Sequence, residues 1–131
     1  MYKVEALRRN LLRITPDLEL EIDVRKIEKT SVYPLFSDCA VVAECLDCAE
    51  DKSMLVSELL PQKKFVVAVS GLGGYGSSDA LRVHPLKENL VLVGDLQTDI
   101  AFRPALAPRV AIVAAKQADV ILEYVLSHST T

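Results

Sequence analysis

The chain has no excess of positive charge, no even set of cysteines and no apolar run long enough to cross a membrane. Its 131 residues carry 15 lysines and arginines against 18 aspartates and glutamates, a net charge of −3. Nucleic-acid binding needs a clustered basic face, so this balance argues against a nucleic-acid partner. The longest apolar tract, residues 110–126, is interrupted by Lys116, Gln117, Asp119 and Glu123, which argues against a membrane span. The opening MYKVEALRRN is charged and amphipathic, unlike a secretory leader. Three cysteines in such a chain predict reduced thiols and a cytoplasmic location. Only two histidines occur, and His84 beside Pro85 and His128 in a polar tail read as surface residues. No Ser/His/Asp or Cys/His set can be assembled, and no repeat or low-complexity segment is present.

What is present is a globular composition, 50% hydrophobic and 25% charged, in a length suited to one domain over residues 1–131. Val4, Leu7, Leu11 and Ile14 repeat at helical spacing, predicting an amphipathic helix over 2–14 that stops at Thr15-Pro16. LELEIDVRKI then alternates, with Leu18, Leu20, Ile22 and Val24 on one face and Glu19, Glu21, Asp23 and Arg25 on the other. That pattern predicts a strand with one face in water. A short turn or helix follows around 32–36. CAVVAEC and KKFVVAVS are apolar on both faces, predicting buried strands near 40–46 and 64–70. Between them a helix over 48–60 is expected, with Asp47 as its N-cap and Glu50 closing a D-x-x-E capping box. Two shorter strands, ALRVHP and NLVLVGD, precede a final, well-buried helix over 107–126 with Pro108 in its first turn. Strands alternating with helices make the class α/β.

Gly71-Leu72-Gly73-Gly74-Tyr75-Gly76 satisfies G-x-G-x-x-G after an apolar strand. A dinucleotide loop must open a helix whose N-terminal amides and dipole hold the phosphates. Here Pro85 and a β-branched pattern follow instead, so the loop reads as a flexible or tightly turned connection in which glycine supplies positive φ. Asp95, at the distance expected of a ribose ligand, ends a strand that no helix precedes. Cys45-Leu46-Asp47-Cys48 is a C-x-x-C at a strand-to-helix corner. Zinc needs four ligands and only Cys39, His84 and His128 remain, so no zinc site is expected. A redox pair, with the Cys48 thiol acidified by a helix N-terminus, stands beside the plainer reading of buried, inert cysteines.

KVEALRRNLLRITPDLELEI, followed by VVAECLDCAEDKSML, resembles the middle of a ThiF/MoeB/HesA protein, a bacterial relative of ubiquitin-activating enzymes. Val93-Gly94-Asp95, Ala107-Pro108-Arg109-Val110 and Gln117-Ala118 resemble, in the same order, the end of the ThiF-like branch. The resemblance implies a partial Rossmann-like sheet flanked by helices, with mixed parallel and antiparallel strands. It also implies adenylation: ATP and magnesium joining AMP to the C-terminal carboxylate of a ubiquitin-like sulfur carrier, in thiamine- or molybdopterin-type sulfur transfer. By the same resemblance Lys3 approaches the ATP phosphates. Asp47 matches the catalytic aspartate of a D-x-x-D-N segment, beside the magnesium and phosphates. Strand ends in open α/β sheets are ligand sites, and carboxylates suit magnesium. A plain helix cap remains the other role open to Asp47.

The departures are specific. Cys48 stands where the family has asparagine, Lys52 where an arginine often follows, and the paired C-x-x-C motifs are missing. The family's own glycine loop and nucleotide-binding strands belong upstream of Lys3, and none is seen, so the resemblance is to the C-terminal half only. Such a piece is expected to be inactive alone and to form a homodimer through an uncovered sheet edge or the last helix. The alternative is a non-catalytic binding or dimerisation module retained from that family.

Overall fold

In the computed structural model, which describes residues 1–129, the centre is the run Phe65–Val69 (β2), every residue of it buried. Its odd-numbered side chains, Phe65, Val67 and Val69, pack with Leu81, Val91, Val93 and Val113 on one face. Val66 faces the other way, into a cluster with Val32, Val42, Leu55, Leu59 and Leu90. A strand covered on both faces needs no polar alternation, which is why KKFVVAVS reads as one apolar run.

Four strands form the sheet in the order β1-β2-β4-β3, with β1 at Val41–Ala43, β3 at Arg82–Lys87 and β4 at Leu90–Gly94. β1 and β4 run parallel to β2, while β3 pairs antiparallel with β4. The β3–β4 hairpin turns through Glu88 and Asn89, and its register slips between Pro85 and Lys87. Pro85 cannot donate to a ladder and is tolerated here because β3 is an edge strand. Helix α4, Ala107–Ser127, covers one face through Val113, Val120, Ile121 and Tyr124. Helices α2 (Val32–Phe36) and α3 (Ala49–Leu59) cover the other. The mixed α/β architecture agrees with the expected class.

Helix α1 spans Lys3–Ile14 as its periodicity requires, but no residue of it is buried. Four other expectations need correction. LELEIDV forms no strand: residues 18–24 have no sheet partner, although Leu20 and Ile22 are half-buried between exposed neighbours. The period-2 signal was genuine, but pairing is a non-local property that alternation cannot supply. β1 lies at the edge of the sheet, not inside it, and Ala43 is exposed. Helix α3 is capped at Cys48 without any side-chain hydrogen bond, so the Asp47/Glu50 capping box does not form; Glu50 and Asp51 instead meet the helix dipole in the first turn. Helix α4 is buried along one stripe only, with Ala114 and Leu122 exposed.

Candidate functional site

β1, β2 and β4 run the same way, and a cleft of about 270 Å³ opens beyond their carboxyl ends. Asp47 and Lys52 come from the β1–α3 corner, Ser70 and Gly71 from the end of β2, and Gln97, Thr98 and Asp99 from the segment after β4. This is where open α/β sheets bind ligands. Lys3, exposed in the first turn of α1, does not line the cleft, so the two residues singled out from sequence are not brought together there.

One wall rests on Glu44, a carboxylate with none of its surface exposed. Lys52 Nζ donates to both of its oxygens (3.1 and 3.0 Å), and the amides of Leu46 (2.6 Å) and Val69 (3.5 Å) donate as well. Lys52 Nζ also reaches the Val69 carbonyl at 3.4 Å. From the opposite layer, Gln117 Nε2 donates to the carbonyls of Glu44 (3.2 Å) and Val67 (3.1 Å), tying α4 to the end of β1. In the sequence Lys52 stands out only as a replacement for the family's arginine, and Glu44 does not stand out as a site residue. The signal was a glutamate closing the apolar run CAVVAE, since acidic residues are almost never fully buried unless paired.

The other wall is built on Asp95 and Arg109. Arg109, 5% exposed, donates from Nη2 to Asp95 Oδ2 (2.6 Å) and from Nη1 to the Gly76 carbonyl (2.5 Å), with Nε 3.4 Å from the Leu72 carbonyl. Asp95 also accepts from the amides of Gln97 (2.9 Å) and Thr98 (2.8 Å) and from the Thr98 hydroxyl. Burial pushes the Asp95 carboxyl up, but the Thr98 and Gln97 donors and the Arg109 guanidinium outweigh it and hold the group below its ordinary value. Asp95 is thus committed to shaping the segment that carries Gln97, Thr98 and Asp99.

The glycine loop belongs to this scaffold. Gly71, Gly74 and Gly76 have positive φ, and no α-helix opens after the loop, only a short 3₁₀ turn at Ser78–Ala80. Gly74 N–H donates to the Pro104 carbonyl (2.9 Å), and Gly71 O accepts from Asp95 N–H (2.9 Å). Only Gly71 and Leu72 of the loop line the cleft. The connection is tightly turned rather than flexible. A Cβ on Gly73 would clash with the Arg103 carbonyl oxygen, a backbone atom that cannot swing aside as the end of a side chain would. Gly73→Ala is therefore expected to lower the melting temperature and to speed amide exchange in residues 96–105, which exchange spectroscopy can read.

The cysteines are not buried as expected: Cys45 and Cys48 are both exposed and Cys39 is half-buried. The Cys45 sulfur nevertheless turns inward to Gln117 Oε1 at 3.8 Å. Burial and the neighbouring Glu44 carboxylate push its thiol up, against weaker opposing effects of Lys52 and Gln117. That suits a protonated thiol rather than a nucleophile at neutral pH. His84 is half-buried, with Nε2 2.9 Å from the Gly94 carbonyl, and His128 is exposed and stacked on Tyr124. Among the described residues no helix is long and apolar enough to cross a membrane.

A scan against protein-family models finds no match, and a search of the curated proteins finds none. Among solved structures the chain is similar to one titled TcdA (CsdL), at 12% identity and a TM-score of 0.76. That alignment covers 98% of this chain and 67% of the other. At this identity the likeness shows the fold, and that fold is ThiF-like.

Proposed function

We propose that this chain acts as the C-terminal part of a ThiF-like, ATP-dependent adenylyltransferase that activates the C-terminal carboxylate of a ubiquitin-like sulfur carrier. In such a reaction a carboxylate oxygen bonds to the α-phosphorus of ATP and pyrophosphate leaves, giving an acyl adenylate. Thiamine- or molybdopterin-type sulfur transfer is the setting the sequence resemblance suggests. The observation that supports the reading most is the cleft, which Asp47 and Lys52 both line at the carboxyl ends of parallel strands of a ThiF-like sheet. Its volume of about 270 Å³ falls just short of the roughly 300–1,000 Å³ usual for drug-sized ligands. It suits part of a nucleotide better than the whole, so in this reading a further nucleotide-binding part completes the site.

Charge sets how such a ligand binds. Lys52 is neutralised by Glu44, which leaves the Asp47 and Asp99 carboxylates to set the sign of the cleft. A bare polyphosphate is repelled there, and a hard divalent cation is needed between the like charges. The donor set fits magnesium: two carboxylates, the Ser70 and Thr98 hydroxyls and the Gln97 amide, all offering oxygen. Asp47 is the residue assigned to the metal and to the reaction, and magnesium held there would offset the phosphate charge. Lys3 has at most a secondary part, reaching the phosphates from outside the cleft.

Titration calorimetry tests this. ATP with magnesium should give heat, and ATP with a chelator none. Asp47→Asn should weaken magnesium-ATP binding about tenfold or more, as expected for loss of a charged ligand. Its melting temperature should not change, because the Asp47 side chain caps nothing. No heat from magnesium-ATP would sink the enzyme reading in favour of the non-catalytic module. That second reading is favoured by the apolar end of α4, where Leu122, Val125 and Leu126 are 56%, 47% and 66% exposed. A homodimer through that end is part of both readings, and light scattering at micromolar concentration reads it as twice the monomer mass.

A further inference from the structure

We infer that the paired loops 71–76 and 96–105 present a docking surface for an acidic, apolar peptide segment of a partner protein, with Tyr75, Phe102 and Arg103 as its contacts. Phe102 (86%) and Tyr75 (81%) are the two most exposed large apolar side chains among the described residues. They stand on separate loops that the fold joins: Gly74 and Ala105 form a parallel bridge, and Gly74 N–H donates to the Pro104 carbonyl. Both loops are anchored, since Arg109 links the Gly76 carbonyl to Asp95. Aromatic side chains displayed on a fixed backbone give up little freedom on binding. Aromatics and arginine are also the residues enriched at the centres of interfaces.

Arg103 sets the partner's charge. Its side chain lies over the bare backbone of Gly74: a Cβ there would meet Arg103 Cδ at 3.3 Å and Nη1 at 3.5 Å, so the missing side chain makes the seat. Seated there, the guanidinium has no salt bridge and no hydrogen-bond acceptor among the described residues. It is the only basic group in either loop. The acidic residues nearest in sequence do not pair with it. Asp95 is bound to Arg109, and Asp99 lines the cleft, its Oδ1 accepting from Ala101 N–H at 2.8 Å. Asp79 sits beyond the loop in the 3₁₀ turn. A partner carboxylate therefore meets a free cation beside two aromatic side chains. A nucleic acid is a poorer occupant, because its phosphates need several cations and this surface offers one, on a chain of net charge −3. Tyr75, Phe102 and Arg103 do not line the cleft, so the surface does not depend on nucleotide binding.

The test uses the full chain and a synthetic octapeptide alternating glutamate with leucine, blocked at both ends. Added up to millimolar concentration, it should shift the amide resonances of Tyr75, Phe102 and Arg103 and leave those of β2 in place. Tyr75→Ala and Phe102→Ala should each weaken binding about tenfold, the loss expected of an interface anchor. Both side chains stand in solvent, so the melting temperature should not move. Arg103→Glu should reverse the preference, a lysine-for-glutamate peptide then binding about tenfold or more tightly than the glutamate one. No shift at these residues in the millimolar range would overturn the inference, as would equal binding of the two peptides by the unaltered chain. A deoxythymidine octanucleotide that shifts the same residues more strongly would assign the surface to nucleic acid instead. A mass that rises with protein concentration, and ceases to in Phe102→Ala, would assign it to a second copy.

Discussion

Glu44→Ala should lower the stability of the domain by about 3–5 kcal/mol, the usual cost of breaking a buried ion pair by removing one partner. Glu44 has no exposed surface, and its removal leaves Lys52 Nζ and the Leu46 and Val69 amides without their acceptor. The Lys52 side chain is 25% exposed and can turn toward the cleft, which places Glu44→Ala at the lower end of that range. Lys52→Met should cost more, because it leaves a carboxylate that cannot escape to water. For a domain of ordinary stability, about 5–15 kcal/mol, either change is a large fraction of the total and should move the melting temperature by roughly 10 °C. The double variant Glu44→Leu/Lys52→Met should recover part of the loss, since apolar replacement of a buried pair is often neutral. Calorimetric melting decides the matter; single variants within about 2 °C of the parent would show that the pair contributes little.

Arg109→Met should be the second large effect, costing about 3 kcal/mol and loosening one whole wall of the cleft. The guanidinium is the common partner of Asp95 and of the glycine-loop carbonyls, so its loss frees residues 71–77 and 96–105 together. Amide exchange in both segments should rise in step, and magnesium-ATP binding should fall with it. Arg109→Lys should not rescue, because an ammonium cannot fork between a carboxylate and two carbonyls. The dependence on acid carries a sign. The Asp95 carboxyl lies below its ordinary value of 3.8 in the folded chain, so its contribution is complete above that value and is lost as pH falls through the folded one. Arg109→Met should shrink this acid-dependent loss without abolishing it, because the Thr98 and Gln97 donors remain. Independent changes in the two segments would contradict a shared anchor.

The fold was legible wherever local pattern decides structure. The apolar run of β2, the periodicity of α1 and the proline at the head of α4 each locate their element to within a residue or two. Sequence could not say whether β1 is central or at an edge, because a short apolar run such as Ala40 to Ala43 looks the same in either place. LELEIDV shows the same limit from the other side: a strand pattern without a partner remains only a pattern. The site was legible in part, through Asp47 at a strand end. Its framework was not, because Glu44 meets Gln117 and Asp95 meets Arg109 across long stretches of chain. Arg109, Val113 and Gln117 do share one helical face by spacing, and all three are buried. A guanidinium in the first turn of a helix opposes the dipole, and that misfit was the available hint that it must have an acidic partner.

The central claim is that the cleft at the carboxyl ends of β1, β2 and β4 holds a metal–nucleotide complex with Asp47 beside the metal. Manganese in place of magnesium, added with ATP, broadens the resonances of amides near the bound ion. The account predicts broadening at Asp47, Ser70, Thr98 and Asp99, lost in Asp47→Asn. Broadening confined to the acidic stretch 19–23, or none in the presence of ATP, would contradict it.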